Sequence, residues 1–220
     1  MDKFLLVVAG PSGCGKTAVT HLMARNDSRF TFLRSATTRR PRGDGNDGEY
    51  LYLTVEAFES LREQGGFVES TEYNGELYGT PLAEVERASS EGKIPLLVLD
   101  INGAQSLRSR TDLCAFTVYI YSDLNAIEER LYSRYLGDSP SPAGLASFVE
   151  RKERNVKDYL LMPEHSTAFC TFVCNDSTLD ALGERIASEF DAFCTDRSVD
   201  HERNASVAQL LHEMAVAKLY

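Results

Sequence analysis

Hydrophobic positions along this chain gather into solid runs, with stretches of helical spacing between them. Phe4 to Ala9 (FLLVVA) is apolar throughout, and Ile94 to Leu99 (IPLLVL), Ala115 to Tyr121 (AFTVYIY) and Phe169 to Cys174 (FCTFVC) repeat the texture. Runs of this length without polar alternation predict strands buried on both faces. Between them, Thr17 to Arg25 sets Val19, Leu22 and Met23 at helical spacing. Asp123 to Tyr135 predicts a helix with Asp123 as its N-cap. Ala146 to Met162 predicts a long charged helix, and Leu179 to Phe193 an amphipathic one. Strands alternating with helices predict an α/β fold, a three-layer parallel sheet with helices on both faces.

Two regions break that rhythm. Residues 35–49 are polar, glycine-rich and interrupted by Pro41, which predicts a loop. From Tyr50 to Thr80 the pattern shortens: Tyr50 to Leu53 and Phe67 to Ser70 predict small strands with a helix from Val55 to Glu63 between them, and a second helix spans Pro81 to Ser90. The different texture marks this block as an inserted small α+β unit. Gly137 to Gly144 (GDSPSPAG) predicts a flexible connection. Val207, Leu210, Leu211 and Met214 predict one more helix in the tail 195–220. Two destinations stay open for it, the chain's own core or a second copy, and with them a homodimer.

Composition narrows the classes. The 220 residues are 43% hydrophobic and 25% charged, which suits a single domain with a proper core. No run of 18 or more apolar residues predicts a membrane span. The first apolar run leads straight into a glycine-rich motif, so it reads as a strand and not a signal peptide. The five cysteines are scattered without a CxxC pair, which predicts free thiols in a reducing cytoplasm. The four histidines show no ligand spacing, so no protein-bound zinc is expected. A net charge of −10 argues against nucleic acid as a partner.

The first chemistry follows the first strand. Gly10-Pro11-Ser12-Gly13-Cys14-Gly15-Lys16-Thr17 matches GxxxxGK[ST] in full, with a strand before it and a helix after it. Glycines let backbone N–H groups converge on phosphate oxygens at the positive end of the following helix. Lys16 would reach the β- and γ-phosphates, and the Thr17 hydroxyl would ligate Mg2+. A nucleoside triphosphate such as ATP is the expected ligand. A GTPase would need a guanine-reading NKxD motif downstream, which is missing, and a motor or helicase would need more chain.

A second anion site is signalled by Arg34, Arg39, Arg40 and Arg42, four arginines in nine positions of an acidic protein, interleaved with Ser and Thr. SATTRRPRGDGNDGEY resembles the S-x-TTR-x-PR-x-GE-x-x-G-x-x-Y motif of the guanylate kinase family. FVESTEYNGELYGTP resembles its F-x-E…G-x-x-YGT block, and LLVLDINGAQ its LDID-x-x-G stretch. ERLYSR, Arg151 in FVERKER, and VCND resemble its lid arginines and adenine-side Asn. The likeness runs from about residue 4 to 193.

That resemblance implies a transfer of the ATP γ-phosphate to GMP with Mg2+, giving ADP and GDP. It implies Ser35, Arg39, Arg42, Tyr50 and Tyr78 as ligands of the acceptor phosphate, with Glu69 and Thr80 reading the guanine. It implies Asp100 near the metal beside Thr17, Arg134 and Arg151 closing on the triphosphate with Arg130 as a further candidate, and Asn175 near the adenine. Asn102 stands in the GMP site where the family has the second Asp of LDID, and Asp44 replaces a Glu. Arg34 and Arg40 fall outside the fixed positions and are expected to be solvated. The implied organisation is a core (about 1–34, 93–136 and 163–194), a GMP-binding insert (about 35–92), a helical lid (about 137–162) and the extra tail. Two other readings stay open: a related P-loop kinase with a different phosphorylated acceptor, and an inactive guanylate kinase-like binding module.

Overall fold

A computed structural model of the chain describes residues 4–41, 48, 50–73, 75–107, 110, 112–137 and 140–219. Its centre is a five-stranded sheet ordered β2-β7-β1-β8-β9, built from β1 (Phe4–Ala9), β2 (Phe30–Phe32), β7 (Ile94–Val98), β8 (Cys114–Tyr121) and β9 (Thr171–Cys174). Every pairing in it is parallel. β1 explains why its sequence is solid: Leu6 and Val8 face one hydrophobic layer and Leu5 and Val7 the opposite one, all with no solvent exposure. α1 (Lys16–Asn26) and α8 (Leu179–Asp196) contribute Val19, Met23, Ile186 and Phe190 to the first layer, while α3 (Leu82–Ser90) contributes Val85 and Ala88 to the second. The α/β fold with a parallel central sheet is therefore as predicted.

A second, four-stranded sheet ordered β4-β3-β6-β5 stands apart from the first. It consists of β3 (Ser35–Thr37), β4 (Tyr50–Tyr52), β5 (Phe67–Tyr73) and β6 (Glu76–Pro81), backed by α2 (Val55–Glu63). Its own small core is Ala36, Phe58, Phe67 and Leu77, with the Phe58 and Phe67 rings stacked at 4.4 Å between centroids. Gly79 makes that packing possible, because a Cβ there would stand 2.9 Å from the Phe67 ring and 3.1 Å from the Glu69 carbonyl oxygen.

Several elements differ from expectation. Ser35–Thr37 is a strand and not part of a loop, since it pairs in parallel with β4 and antiparallel with β6, partners about 15 and 40 residues away that no local pattern reveals. β2, which pairs with β7 more than 60 residues on, β6, which forms a hairpin with β5, and the short α4 (Ile101–Ser106), capped by Asp100, are further additions. The long helix α6 (Pro142–Leu160) begins inside the stretch expected to be a flexible connection. Ser141 caps it by accepting from the Gly144 N–H at 3.0 Å, and Pro142 supplies the fixed φ of a first helical residue. α5 (Leu124–Tyr135) is capped by Asp123 as predicted. α7 (Met162–His165) and a 3-10 turn (Ser166–Ala168) follow α6.

The tail folds onto this same chain. In α9 (His201–Ala217), Asn204, Ala208, Leu211 and Ala215 form one buried face. Asn204 donates to the carbonyls of Phe169 (3.0 Å) and Cys170 (3.1 Å), and His212 Nδ1 donates to Leu160 O at 2.7 Å. Lys218 and Lys152 share the Glu128 carboxylate, linking α9, α6 and α5. No described helix is long and apolar enough to cross a membrane.

Candidate functional site

The site sits at the carboxyl ends of β1 and β7, where strand order changes direction and open α/β sheets collect their ligands. β1 ends in the glycine-rich turn. Gly10, Gly13 and Gly15 have φ of 148°, 88° and 96°, a region that costs other residues strain. Gly10 is also sterically committed: a Cβ there would come within 2.2 Å of the Ile120 carbonyl oxygen. Lys16 opens α1, and its ammonium donates to the carbonyls of Gly10 and Pro11, both at 2.8 Å. Thr17 follows on the first helical turn. Cys14 is fully buried, and burial pushes its thiol above the ordinary value.

One cavity of about 760 Å³ joins this turn to the small sheet. Gly10, Ser12, Lys16 and Asp100 line one end; Ser35, Tyr50, Glu69 and Tyr78 line the other, and Asn102 and Arg151 stand on the same wall system. Strand register explains the second group. Ser35 pairs with Tyr50 across β3 and β4, and Thr37 with Tyr78 across β3 and β6. The Tyr50 and Tyr78 rings meet edge to face at 6.4 Å. Arg39 lies over this group without lining the cavity. Its guanidinium carbon is 5.0 Å from the Tyr50 ring centroid, and Nη2 donates to Tyr52 Oη at 3.5 Å. Arg34 and Arg40 are exposed. Arg42 and Asp44 lie outside the described residues.

Glu69 is the electrostatic oddity. It is 6% exposed, lies opposite Thr80 in the β5–β6 ladder, and accepts a 2.7 Å hydrogen bond from the Thr80 hydroxyl. Burial pushes its carboxyl up to about 7; the Asp100 charge adds to the rise and the Thr80 bond opposes it. Thr80 itself is buried behind Glu69 and does not line the cavity. Asp100 caps α4 by accepting from the Gly103 N–H at 2.8 Å, and its other oxygen lies 3.7 Å from Arg154.

Arg134 and Asn175 are placed less directly. Arg134 is exposed on α5, 5.4 Å from the Tyr135 ring centroid, while Arg151 on α6 stands 5.3 Å from the same ring. Arg151 also donates to Ser12 Oγ at 2.9 Å. Arg130 is exposed. Asn175 is buried behind the turn, donating to the Cys14 carbonyl at 2.8 Å. Sequence reasoning missed Arg154, Asn155 and Asp158. Arg154 and Asp158 line the cavity, and burial pushes the Asp158 carboxyl up while Arg154 and Lys16 pull it down. A signal existed: from Arg151 these three are three, four and seven positions on, one face of a helix.

A glycine-rich phosphate turn at the end of a central parallel strand defines a P-loop α/β protein, here with a second polar surface across one cavity. The sequence pattern of the family described as Guanylate kinase matches residues 2–162. A guanylate kinase from Streptococcus thermophilus is 32% identical over 202 residues, covering 91% of this chain and 92% of that protein. One from Nitratidesulfovibrio vulgaris is 37% identical over 156 residues, covering 70% and 75%. The chain belongs to the guanylate kinase family. In three dimensions it resembles the crystal structure of guanylate kinase from Anaplasma phagocytophilum, with a TM-score of 0.59 at 21% identity over 86% of this chain and 85% of that one, a likeness of fold.

Proposed function

We propose that this protein transfers the γ-phosphate of ATP to GMP, giving ADP and GDP. The observation that carries the reading is the single cavity with Lys16 at one end and the buried Glu69 carboxylate at the other. A guanine edge offers N–H donors at N1 and the 2-amino group, and an ionised carboxylate accepts both. Ser35, Tyr50 and Tyr78 would hold the acceptor phosphate between that base and the P-loop, with Arg39 and Arg42 supplying charge. Asn102, beside them on the cavity wall, would accept or donate as an uncharged amide.

An acceptor phosphate oxygen attacks the γ-phosphorus in line; that O–P bond forms as the bond to the β-bridging oxygen breaks and ADP leaves. The attacking oxygen is already anionic, so no protein base is needed, and catalysis is positioning plus charge stabilisation. Lys16 would exchange its bonds to Gly10 and Pro11 for phosphate oxygens. Arg151 and Arg134, on either side of Tyr135, would approach the transferred group. The backbone from Gly13 to Thr17 would cradle the donor phosphates, and Asn175 would act through the Cys14 carbonyl it holds.

The Thr17 hydroxyl and Asp100 carboxylate are hard oxygen donors that fit Mg2+. No group of three or more His, Cys, Asp or Glu among the described residues is set to hold a metal alone. When bound, Mg2+ would offset negative charge on the donor phosphates. Closure of the block 35–92 and the loop 137–144 over the substrates would exclude water as a competing acceptor. The five free cysteines suit a reducing cytoplasm, where ATP and GMP are available.

The test is ADP release with ATP and Mg2+ against GMP, dGMP, AMP, UMP and CMP. Turnover with GMP, well above AMP, UMP and CMP, is expected. Absence of GMP-dependent turnover overturns the reading.

A further inference from the structure

The P-loop is gripped from outside by a side chain that belongs to none of the motifs. Asn155 on α6 is 2% exposed. Its Oδ1 accepts from the Ser12 N–H at 2.8 Å, and its Nδ2 donates to the Ser12 carbonyl at 2.8 Å. One amide thus satisfies both polar groups of one peptide residue, immediately before the turn at Gly13 with its φ of 88°. An amide suits this where a carboxylate does not: an ionised Asp can accept but cannot donate. One helical turn later, the buried Tyr159 hydroxyl accepts from the Ser122 N–H (3.0 Å) and donates to the Ser122 carbonyl (2.8 Å). Ser122 Oγ in turn donates to the Asn175 carbonyl, and Asn175 donates to Cys14 O. The bonds close a ring around the P-loop through α6 and the ends of β8 and β9.

We propose that Asn155 is a positioning residue for the phosphoryl transfer, fixing the Ser12 peptide and the register of α6 so that Arg151, one turn earlier, is delivered to the transferred phosphate. Arg151 already donates to Ser12 Oγ, so helix and loop are keyed at the same residue. α6 cannot swing away as one body without breaking two buried pairs of hydrogen bonds. Movement that brings Arg151 to substrate therefore belongs to the part of α6 before Asn155, where Leu145 and Val149 are exposed; from Asn155 onward the helix is part of the core. This inference rests on the proposed reaction for its kinetic consequence and on the hydrogen bonds for its location.

The test compares Asn155→Ala and Asn155→Asp with the wild type in three readouts: ADP affinity by calorimetry, kcat and KM for GMP, and a double-mutant cycle with Arg151→Ala. Loss of kcat by about 10- to 100-fold is expected, from misplacement by an ångström or so. ADP binding should weaken several-fold while KM for GMP stays within about twofold. The Asn155 and Arg151 effects should be less than multiplicative when combined. Wild-type values for kcat and ADP affinity in both variants, equal losses in both substrates, or failure of both variants to fold would each overturn the proposal. ADP affinity needs no acceptor, so a wild type without GMP turnover would remove the proposed reaction while a several-fold ADP loss in Asn155→Ala still supported the clamp.

Discussion

The two ends of the cavity are built to different standards. At the P-loop end the backbone is committed: Gly10 tolerates no Cβ, Asn155 and Asn175 hold Ser12 and Cys14, and the strand below has no exposed residue from Leu5 to Ala9. At the other end β3 and β4 are three residues each, β4 is half-buried throughout, and the core beneath is four side chains. Arg39 rests on tyrosine rings and a long bond to Tyr52. Few buried contacts mean low local stability, so this end is the one suited to move. On the proposed reading the donor end is preorganised for charge, and the acceptor end would gain its order from the ligand.

The largest expected effect breaks the donor end alone. Lys16→Met removes the one ammonium on the P-loop and should lower kcat by about 10³-fold, with GMP affinity by calorimetry within a few-fold of wild type. A parallel loss of GMP binding would mean that the two ends are not separable. Arg39→Ala addresses the acceptor end. It should reduce kcat/KM for GMP by about 10- to 100-fold, the scale of a charged hydrogen bond, with KM for ATP little changed in steady-state kinetics.

A pH profile sharpens the contrast further. Burial pushes the Glu69 carboxyl up to about 7, above its usual 4.5. Its raised value favours the protonated acid in the folded protein, so the associated stability is present below the ordinary value and lost as pH rises through about 7. Guanine reading as proposed needs the carboxylate, so binding would run the opposite way. KM for GMP should fall about tenfold from pH 6 to pH 8, while KM for ATP stays flat. The smallest effect lies outside the cavity. Asn204→Ala leaves the buried Phe169 carbonyl and the half-buried Cys170 carbonyl without this donor and should cost about 1–3 kcal/mol, read as a lower Tm, with kcat near wild type.

The same contrast governs what the sequence revealed. The solid run of β1 and the eight-residue phosphate motif are local, and both were legible from residue types alone. Glu69, Tyr50 and Tyr78 were found through the family resemblance and now line one cavity with Lys16. β3 and β6 were not found: Ser-Ala-Thr becomes a strand only by pairing with β4 and with β6 about 40 residues on, and the Gly-containing β6 only as the second arm of a hairpin with β5. Asn155 shares a helix face with Arg151, but that spacing alone does not reveal its partner. An amide within a charged helix looks like surface until Ser12 is seen beside it, 143 positions away in the chain.

The most direct measurement of the division between the two ends is calorimetric titration of Glu69→Gln with GMP and, separately, with ADP. The amide replaces an acceptor of two N–H groups with one that presents its own donors to the guanine edge. GMP affinity should fall by about 30-fold or more while ADP affinity remains within about twofold of wild type. Equal losses for the two nucleotides, or an unchanged GMP affinity, would contradict the assignment of the small-sheet end to guanine.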